Sequence, residues 1–350
     1  MTPTLRKMVR DDCLRILGEA PRGLEALQDG VVLMTGGTGF MGAWVAEAVA
    51  FLNDHHRLAI RLLLLSPRAS HFATRAPHLA ARKDIQLIEQ NVLNIIELPD
   101  DVNWIIHAAG DPDGRSHATD PIGTLRTIAR GADALLQAAS RLNNLRKVLH
   151  VSSGLVYGSQ PKDMTRISED FAGGLDCAML GNAYAEGKRV AETICAAYRS
   201  QMRLPIVTVR PFAFLGPYQL LDRPWAANNF IRDSLLGGPV RIQGDGQSVR
   251  SYMYPADMVW WLLTILARGP IGSVYNVGSP EGVSLADLAQ KVVALFAQPV
   301  KIVTRTLGLN AAAATRLVPD VAWAEQSLGL AIKTDLDAAV RLALQWYRAL

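Results

Sequence analysis

The 350 residues are 49% hydrophobic and 19% charged, enough apolar surface for a large core and too apolar for a disordered chain. Three scattered cysteines, Cys13, Cys177 and Cys195, exclude a disulfide framework or zinc spacing, so no metal site is expected and the expected setting is a reducing cytoplasm. The net charge of +4 comes from dispersed arginines without a basic run, which argues against nucleic acid and suits a small anionic substrate, and no apolar run is long enough to cross a membrane.

Residues 1–28 have charges interrupting every apolar stretch; they carry no signal-peptide core and read as a helical N-terminal extension. From residue 29 the pattern alternates. "GVVLMTGG" is a strand ending in glycines, and "FMGAWVAEAVAFLND" has the apolar spacing of a helix. "LAIRLLLLS" predicts a strand, followed by a polar stretch. "DIQLIEQNV" and "NWIIHAAG" predict two more strands, and "GTLRTIARGADALLQAASR" one continuous helix. "RKVLHVSS" (strand), "AYAEGKRVAETICAAYRSQ" (helix) and "PIVTVRP" (strand) complete a series that implies an α/β fold, a doubly wound parallel sheet. After residue 212 come loops and short strands rich in Gly, Pro and aromatics. "MVWWLLTILA" reads as a buried helix, "YNVG" and "VKIVTRT" as extended, and helices are expected near 284–296, 320–327 and 334–349. The resulting division is 29–212 for a dinucleotide-binding domain and 213–350 for a smaller, mainly substrate-binding α/β portion interleaved with it.

Gly36, Gly39 and Gly42 fall between the first strand and its helix. A diphosphate must touch bare backbone N–H groups there, and a helix N-terminus favours negative charge. Thr38, Phe40 and Met41 of the same loop are expected against the cofactor. The second strand ends "LLLLSPR". Ser66 and Arg68 stand where a carboxylate would bind the ribose of NAD, so the charge pattern favours NADP over NAD. Tyr184 and Lys188, four apart on a helix, share a face, and an ammonium beside a phenol is expected to lower its pKa. Ser153 follows a parallel strand, where doubly wound sheets bind ligands, and its hydroxyl can bond an oxygen that gains or loses a proton.

With "TGGTGFMG", "HAAG", "SSGLVYG", "YAEGK", "RPFAFLGP", "RIQGDGQSVRSYMYPADM" and "YNVGS" in order, the chain from residue 30 onward resembles the extended short-chain dehydrogenase/reductases, and within them the nucleotide-sugar epimerases, dehydratases and ketoreductases. The resemblance implies a Rossmann sheet and catalytic roles for Ser153, Tyr184 and Lys188. It puts Asn91, Val92, His107, Ala108, Ala109 and Pro211 in the cofactor cleft, and Ser153, Gly154, Asn229 and Arg250 against a nucleotide-diphosphate sugar. It also implies a homodimer through the helices near 124–141 and 180–200. Family dehydratases carry an acid pair after the catalytic Ser/Thr. Gly154 and Leu155 stand there and cannot move a proton, which argues against dehydration. Three readings follow: an NADPH-dependent 4-ketoreductase, a 4-epimerase with retained NAD, or a non-catalytic dinucleotide sensor.

Overall fold

The computed structural model describes residues 1–19, 23–305 and 314–350. It opens with α1 (Pro3–Leu17), where the Thr2 hydroxyl accepts the Leu5 N–H and Pro3 occupies the first turn, which needs no N–H partner. Leu5, Val9, Cys13, Ile16 and Leu17 recur at helical spacing and are buried. Then come β1 (Val31–Thr35), α2 (Phe40–His56), β2 (Arg61–Ser66), the short α3 (Ser70–Arg75) and α4 (Pro77–Ala80), and β3 (Ile85–Glu89). β4 (Trp104–His107) leads into α5 (Gly114–Thr119), α6 (Pro121–Leu125) and α7 (Gly131–Ala139). β5 (Lys147–Val151) precedes the long α8 (Ala183–Gln201), followed by β6 (Ile206–Pro211), β7 (Ala213–Phe214), α9 (Ala226–Leu235), β8 (Val240–Gln243), β9 (Val249–Arg250) and β10 (Tyr252–Met253). The chain closes with α10 (Pro255–Arg268), β11 (Val274–Val277), β12 (Val283–Ser284), α11 (Leu285–Val293), β13 (Ile302–Arg305), β14 (Arg316–Leu317), α12 (Ala322–Leu328) and α13 (Leu336–Arg348).

Seven parallel strands form the main sheet in the order β11-β6-β5-β4-β1-β2-β3. Helices cover both faces, which is why its strands read as unbroken apolar runs. Alternate residues face opposite ways. Val32, Met34, Leu62, Leu64, Ile106 and Leu149 belong to the core that includes α1, α2 and α10, while Leu33, Leu63, Leu65, Ile105, Val148 and Ile206 pack with residues of α7 and α8. β11, late in the chain, pairs with β6 at one edge, and the short strands pair among themselves as β13-β8, β10-β7 and β12-β9-β14.

The N-terminal helix is part of this core. Its buried Asp12 accepts from the Tyr254 hydroxyl at 2.5 Å and from Arg15 at 2.8 Å, and Arg15 also donates to Thr334 at 2.6 Å. The single helix expected over 123–141 is instead two helices joined by a π-helical turn, Arg126–Arg130. Ile128 of that turn packs with Ala132, Tyr184 and Ala191, so the irregularity sits where the helix abuts α8. The polar stretch after β2 holds two short helices. The strand expected over "VKIVTRT" is present as β13, and Thr306 lies outside the described residues.

Candidate active site

The strand order reverses between β1 and β4, which opens a crevice at their C-terminal ends. Gly36 adopts φ +67°, and a Cβ there would lie 2.7 Å from the Ala108 carbonyl oxygen. A Cβ on Gly42 would lie 1.9 Å from the Gly37 carbonyl oxygen, so α2 can start this close to the loop only without a side chain. Gly39 precedes α2 and supplies no side-chain cap, which leaves the first-turn N–H groups from Phe40 to Gly42 free of a side-chain acceptor. This bare, positively polarised cradle fits the diphosphate of a dinucleotide. Arg75 donates to the Gly39 carbonyl at 2.9 Å from the outside of the loop.

At the end of β2 the Thr38 hydroxyl donates to the buried Ser66 hydroxyl at 2.8 Å, and Arg68 is exposed. The register pairs Ser66 with Glu89 on β3, whose carboxylate accepts the Ser70 N–H at 3.0 Å. Asn91 is exposed and turns its side-chain oxygen to the Leu93 N–H at 3.0 Å, while Val92 is buried against Gly131. Ala108 and Ala109 line the turn after β4, and the Ala109 N–H donates to the Thr35 hydroxyl at 3.3 Å. Pro211 is buried at the end of β6, in register with Val277.

Ser153, Tyr184 and Lys188 are brought together. Ser153 stands two residues past the end of β5 and caps a short 3-10 turn, accepting the Leu155 N–H at 3.2 Å. Tyr184 and Lys188 rise from the first turns of α8, and the Lys188 ammonium lies 5.7 Å from the Tyr184 ring centre. The same ammonium donates to the Val151 carbonyl at 2.7 Å, two residues before Ser153. Burial pushes the Tyr184 phenol up to about 12; the neighbouring Ser153 hydroxyl pulls the other way by hydrogen bonding, and the Asp111 charge adds to the rise. The expected lowering of this phenol by Lys188 is therefore not found: burial dominates, the one opposing influence is the Ser153 hydrogen bond, and the ammonium is aimed at Val151. Burial lowers Lys188 itself to about 8 against the opposing charges of Cys195 and Glu192. Gly154 is buried and Leu155 exposed, so no acid follows Ser153.

A polar row underlies the trio. Thr35, His107, His150 and Thr208 are register partners across β1, β4, β5 and β6, all buried on the α8 side of the sheet. His107 Nδ1 and the Thr35 hydroxyl are 2.7 Å apart. Burial first, then the Lys188 charge, lowers the His107 pKa to about 3, and burial with His107 and Lys188 lowers His150 well below its ordinary value. Both rings are neutral at ordinary pH. One turn beyond Lys188, Glu192 accepts from Ser152 at 2.5 Å and from two nitrogens of Arg210 at 3.0 and 2.7 Å. Ser152 is thus engaged in holding α8 to the strand end.

Asn229 is half-buried on α9, and Arg250 on β9 spends its guanidinium on the Val249 carbonyl and on Thr315. Neither bonds to the trio. Sequence reasoning misses the loop after β4, "GDPDGRSH". It supplies Asp111, whose charge acts on Tyr184, and His117, stacked on the Tyr184 ring. A run of titratable residues at the C-terminal end of a central strand is the signal that could have found them. Among the described residues no cluster of His, Cys, Asp or Glu could hold a metal, and no helix is long and apolar enough to cross a membrane.

A doubly wound sheet with a glycine cradle at its switch point and a Ser/Tyr/Lys group at the neighbouring strand end defines a dinucleotide-binding α/β protein. The chain belongs to the NAD dependent epimerase/dehydratase family, whose sequence profile matches residues 32–278. It is 26% identical over 316 residues to UDP-glucuronic acid decarboxylase 1 of Danio rerio, covering 90% of this chain and 72% of that one. It is also 26% identical over 279 residues to a trifunctional UDP-glucose 4,6-dehydratase, 3,5-epimerase and 4-keto-rhamnose reductase of Arabidopsis thaliana, spanning 76% of this chain and 39% of that protein. The fold matches UDP-glucuronic acid 4-epimerase from Bacillus cereus in complex with UDP-glucuronic acid and NAD, with a TM-score of 0.78 at 22% identity over 91% of this chain and 99% of that one. It likewise matches dTDP-glucose 4,6-dehydratase from Bacillus anthracis in complex with NAD, at TM-score 0.75 and 18% identity over 91% and 97% of the chains. The chain is thus a member of an epimerase/dehydratase enzyme family described as NAD dependent.

Proposed function

We propose that this protein is an NADPH-dependent 4-ketoreductase of a nucleotide-linked sugar. The observation that carries the reading is the buried Tyr184 phenol, raised to about 12 and so fully protonated at neutral pH, beside the Ser153 hydroxyl. Reduction of a ketone needs such a proton donor. When bound, the nicotinamide supplies the hydride. Ser153 donates a hydrogen bond to the ketone oxygen and polarises it, and Tyr184 gives that oxygen its proton as the carbonyl carbon is reduced. Lys188, anchored on Val151, offers its remaining protons to the cofactor ribose and to the phenolate left on Tyr184. No further acid or base is required, which agrees with Gly154 and Leu155. Ser66 and Arg68 favour the phosphate of NADP, and Asn229 and Arg250 are the candidate grips for the substrate diphosphate. The reading includes a homodimer through the helices near 124–141 and 180–200, where Leu125, Leu180 and Val190 are exposed, and a cytoplasmic setting; sedimentation checks the first.

One observation favours a second reading, a 4-epimerase with retained NAD: the Glu89 carboxylate stands beside the end of β2, where it would repel a 2′-phosphate. The protein incubated with nucleotide 4-ketosugars and NADPH should consume the reduced cofactor, and Tyr184→Phe should abolish this. Interconversion of 4-epimers on a tightly held dinucleotide, with no net use of NADPH, would establish the epimerase instead. Dinucleotide binding without either reaction would leave a sensor.

A further inference from the structure

We propose that His117 is the positioning residue for Tyr184, and that Arg223 ties this placement to the C-terminal portion of the chain. The inference rests on the reading of Tyr184 as proton donor. The His117 imidazole lies flat on the phenol, ring centres 4.4 Å apart and planes within 12°. Both side chains are buried. His117 Nε2 is 2.6 Å from the Asp111 carbonyl oxygen. A carbonyl only accepts, so Nε2 carries the proton, and the ring is pinned in one tautomer and one plane. The apolar neighbours of the ring, Ile128, Ala132 and Ala191, set no direction, while the Ser153 hydroxyl bonds the phenol oxygen at the tip and Lys188 lies 5.7 Å from the ring centre. The imidazole is the anchored surface against the face of the ring, and it holds the plane in which the phenol reaches Ser153.

The loop that carries His117 is itself strapped down. Asp113 caps α5 by accepting the Arg115 N–H at 2.9 Å. Its carboxylate is nearly sealed from solvent and takes 2.7 Å ion pairs from both Arg115 and Arg223. Arg223 also reaches Asp111 at 3.3 Å. Arg223 belongs to the segment between β7 and α9, in the portion read as holding the nucleotide-sugar. Movement of that segment is thus transmitted through Asp111 and Asp113 to the ring against Tyr184. Each contact in this chain is charged, hydrogen-bonded or stacked, and together they run without a gap from the substrate side to the reacting phenol.

The test uses the full chain with His117→Ala, His117→Phe and Arg223→Gln, and Tyr184→Phe to assign resonances. The first readout needs no turnover: the aromatic NMR signals of Tyr184, displaced by the stacked ring. His117→Ala should remove that displacement, His117→Phe should keep most of it, and Arg223→Gln should shift the signals although Arg223 does not touch Tyr184. The second readout is ketone reduction. His117→Ala should lower kcat by about a hundredfold with KM for NADPH within about threefold, His117→Phe should recover about tenfold of the loss, and Arg223→Gln should lower kcat about tenfold. Unmoved Tyr184 signals in His117→Ala, or an intact kcat with only KM raised, would overturn the role of His117. Unmoved signals in Arg223→Gln would overturn the coupling. A wild-type chain that reduces no nucleotide ketosugar refutes the reaction assigned above, and the NMR result still decides the placement.

Discussion

Lys188→Met should destroy activity while making the protein more stable at neutral pH. Burial lowers the Lys188 pKa from 10.5 to about 8, and the side chain is only 3% exposed, so little solvent screening softens the effect. At about 1.4 kcal/mol for each tenfold, that gap costs the folded state roughly 3 kcal/mol. Removing the ammonium also leaves the Val151 carbonyl without its donor, a loss of about 1 kcal/mol. The variant should therefore gain roughly 2 kcal/mol at neutral pH. The sign follows from proton binding. Above pH 10.5 both states are neutral and there is no penalty. Between 10.5 and 8 the unfolded chain holds a proton that the folded chain lacks, so wild-type stability falls as pH falls. Below 8 the full penalty is present. Denaturant unfolding of both proteins, without added cofactor, should show the variant ahead at neutral pH and the wild type level or slightly ahead at pH 10.5. A stability gap that stays constant across this range, or a variant weaker at neutral pH, would refute a burial penalty on this ammonium.

Gly42→Ala should abolish dinucleotide binding by calorimetry and cost about 2 kcal/mol of stability, because the new methyl must displace the Gly37 carbonyl. Tyr184→Phe should cut turnover by about 10²–10⁴-fold with an unchanged circular dichroism spectrum, since the apolar contacts of the ring remain. Arg68→Ala should raise KM for NADPH about tenfold and leave KM for NADH within about twofold, a split that a mere surface arginine would not produce. Asp12→Ala should lower stability by about 3 kcal/mol in denaturant unfolding, since it strands the buried Tyr254 hydroxyl and frees Arg15.

The parallel sheet is legible in the sequence because strands buried on both faces leave apolar runs such as "LLLL" at 62–65, and because three glycines between a strand and a helix mark a backbone that something must approach closely. The Ser153, Tyr184 and Lys188 group is legible because each follows or opens an element whose end lies at the crevice. The π turn is not, since helical periodicity at 123–141 is the same whether the helix is continuous or interrupted. The pKa of Tyr184 goes the other way because sequence logic weighs the charge of Lys188 and has no measure of burial. His117 is invisible for a related reason: sixty-seven positions separate it from the ring it covers, and only the folded loop brings them together. Residues 1–28 read as an extension in the sequence because its pattern does not show that α1 packs on α2 and α10, nor that Asp12 and Arg15 reach Tyr254 and Thr334 at the far end of the chain.

That last arrangement sets an order of events during synthesis. The oily stripe of α1 meets α2 soon after both are translated, but α10, which it also packs against, and Tyr254 and Thr334, which bond to its Asp12 and Arg15, are translated more than two hundred residues later. Until then Asp12 and Arg15 have only each other, so the first helix of the chain is fastened in place by segments made near its end.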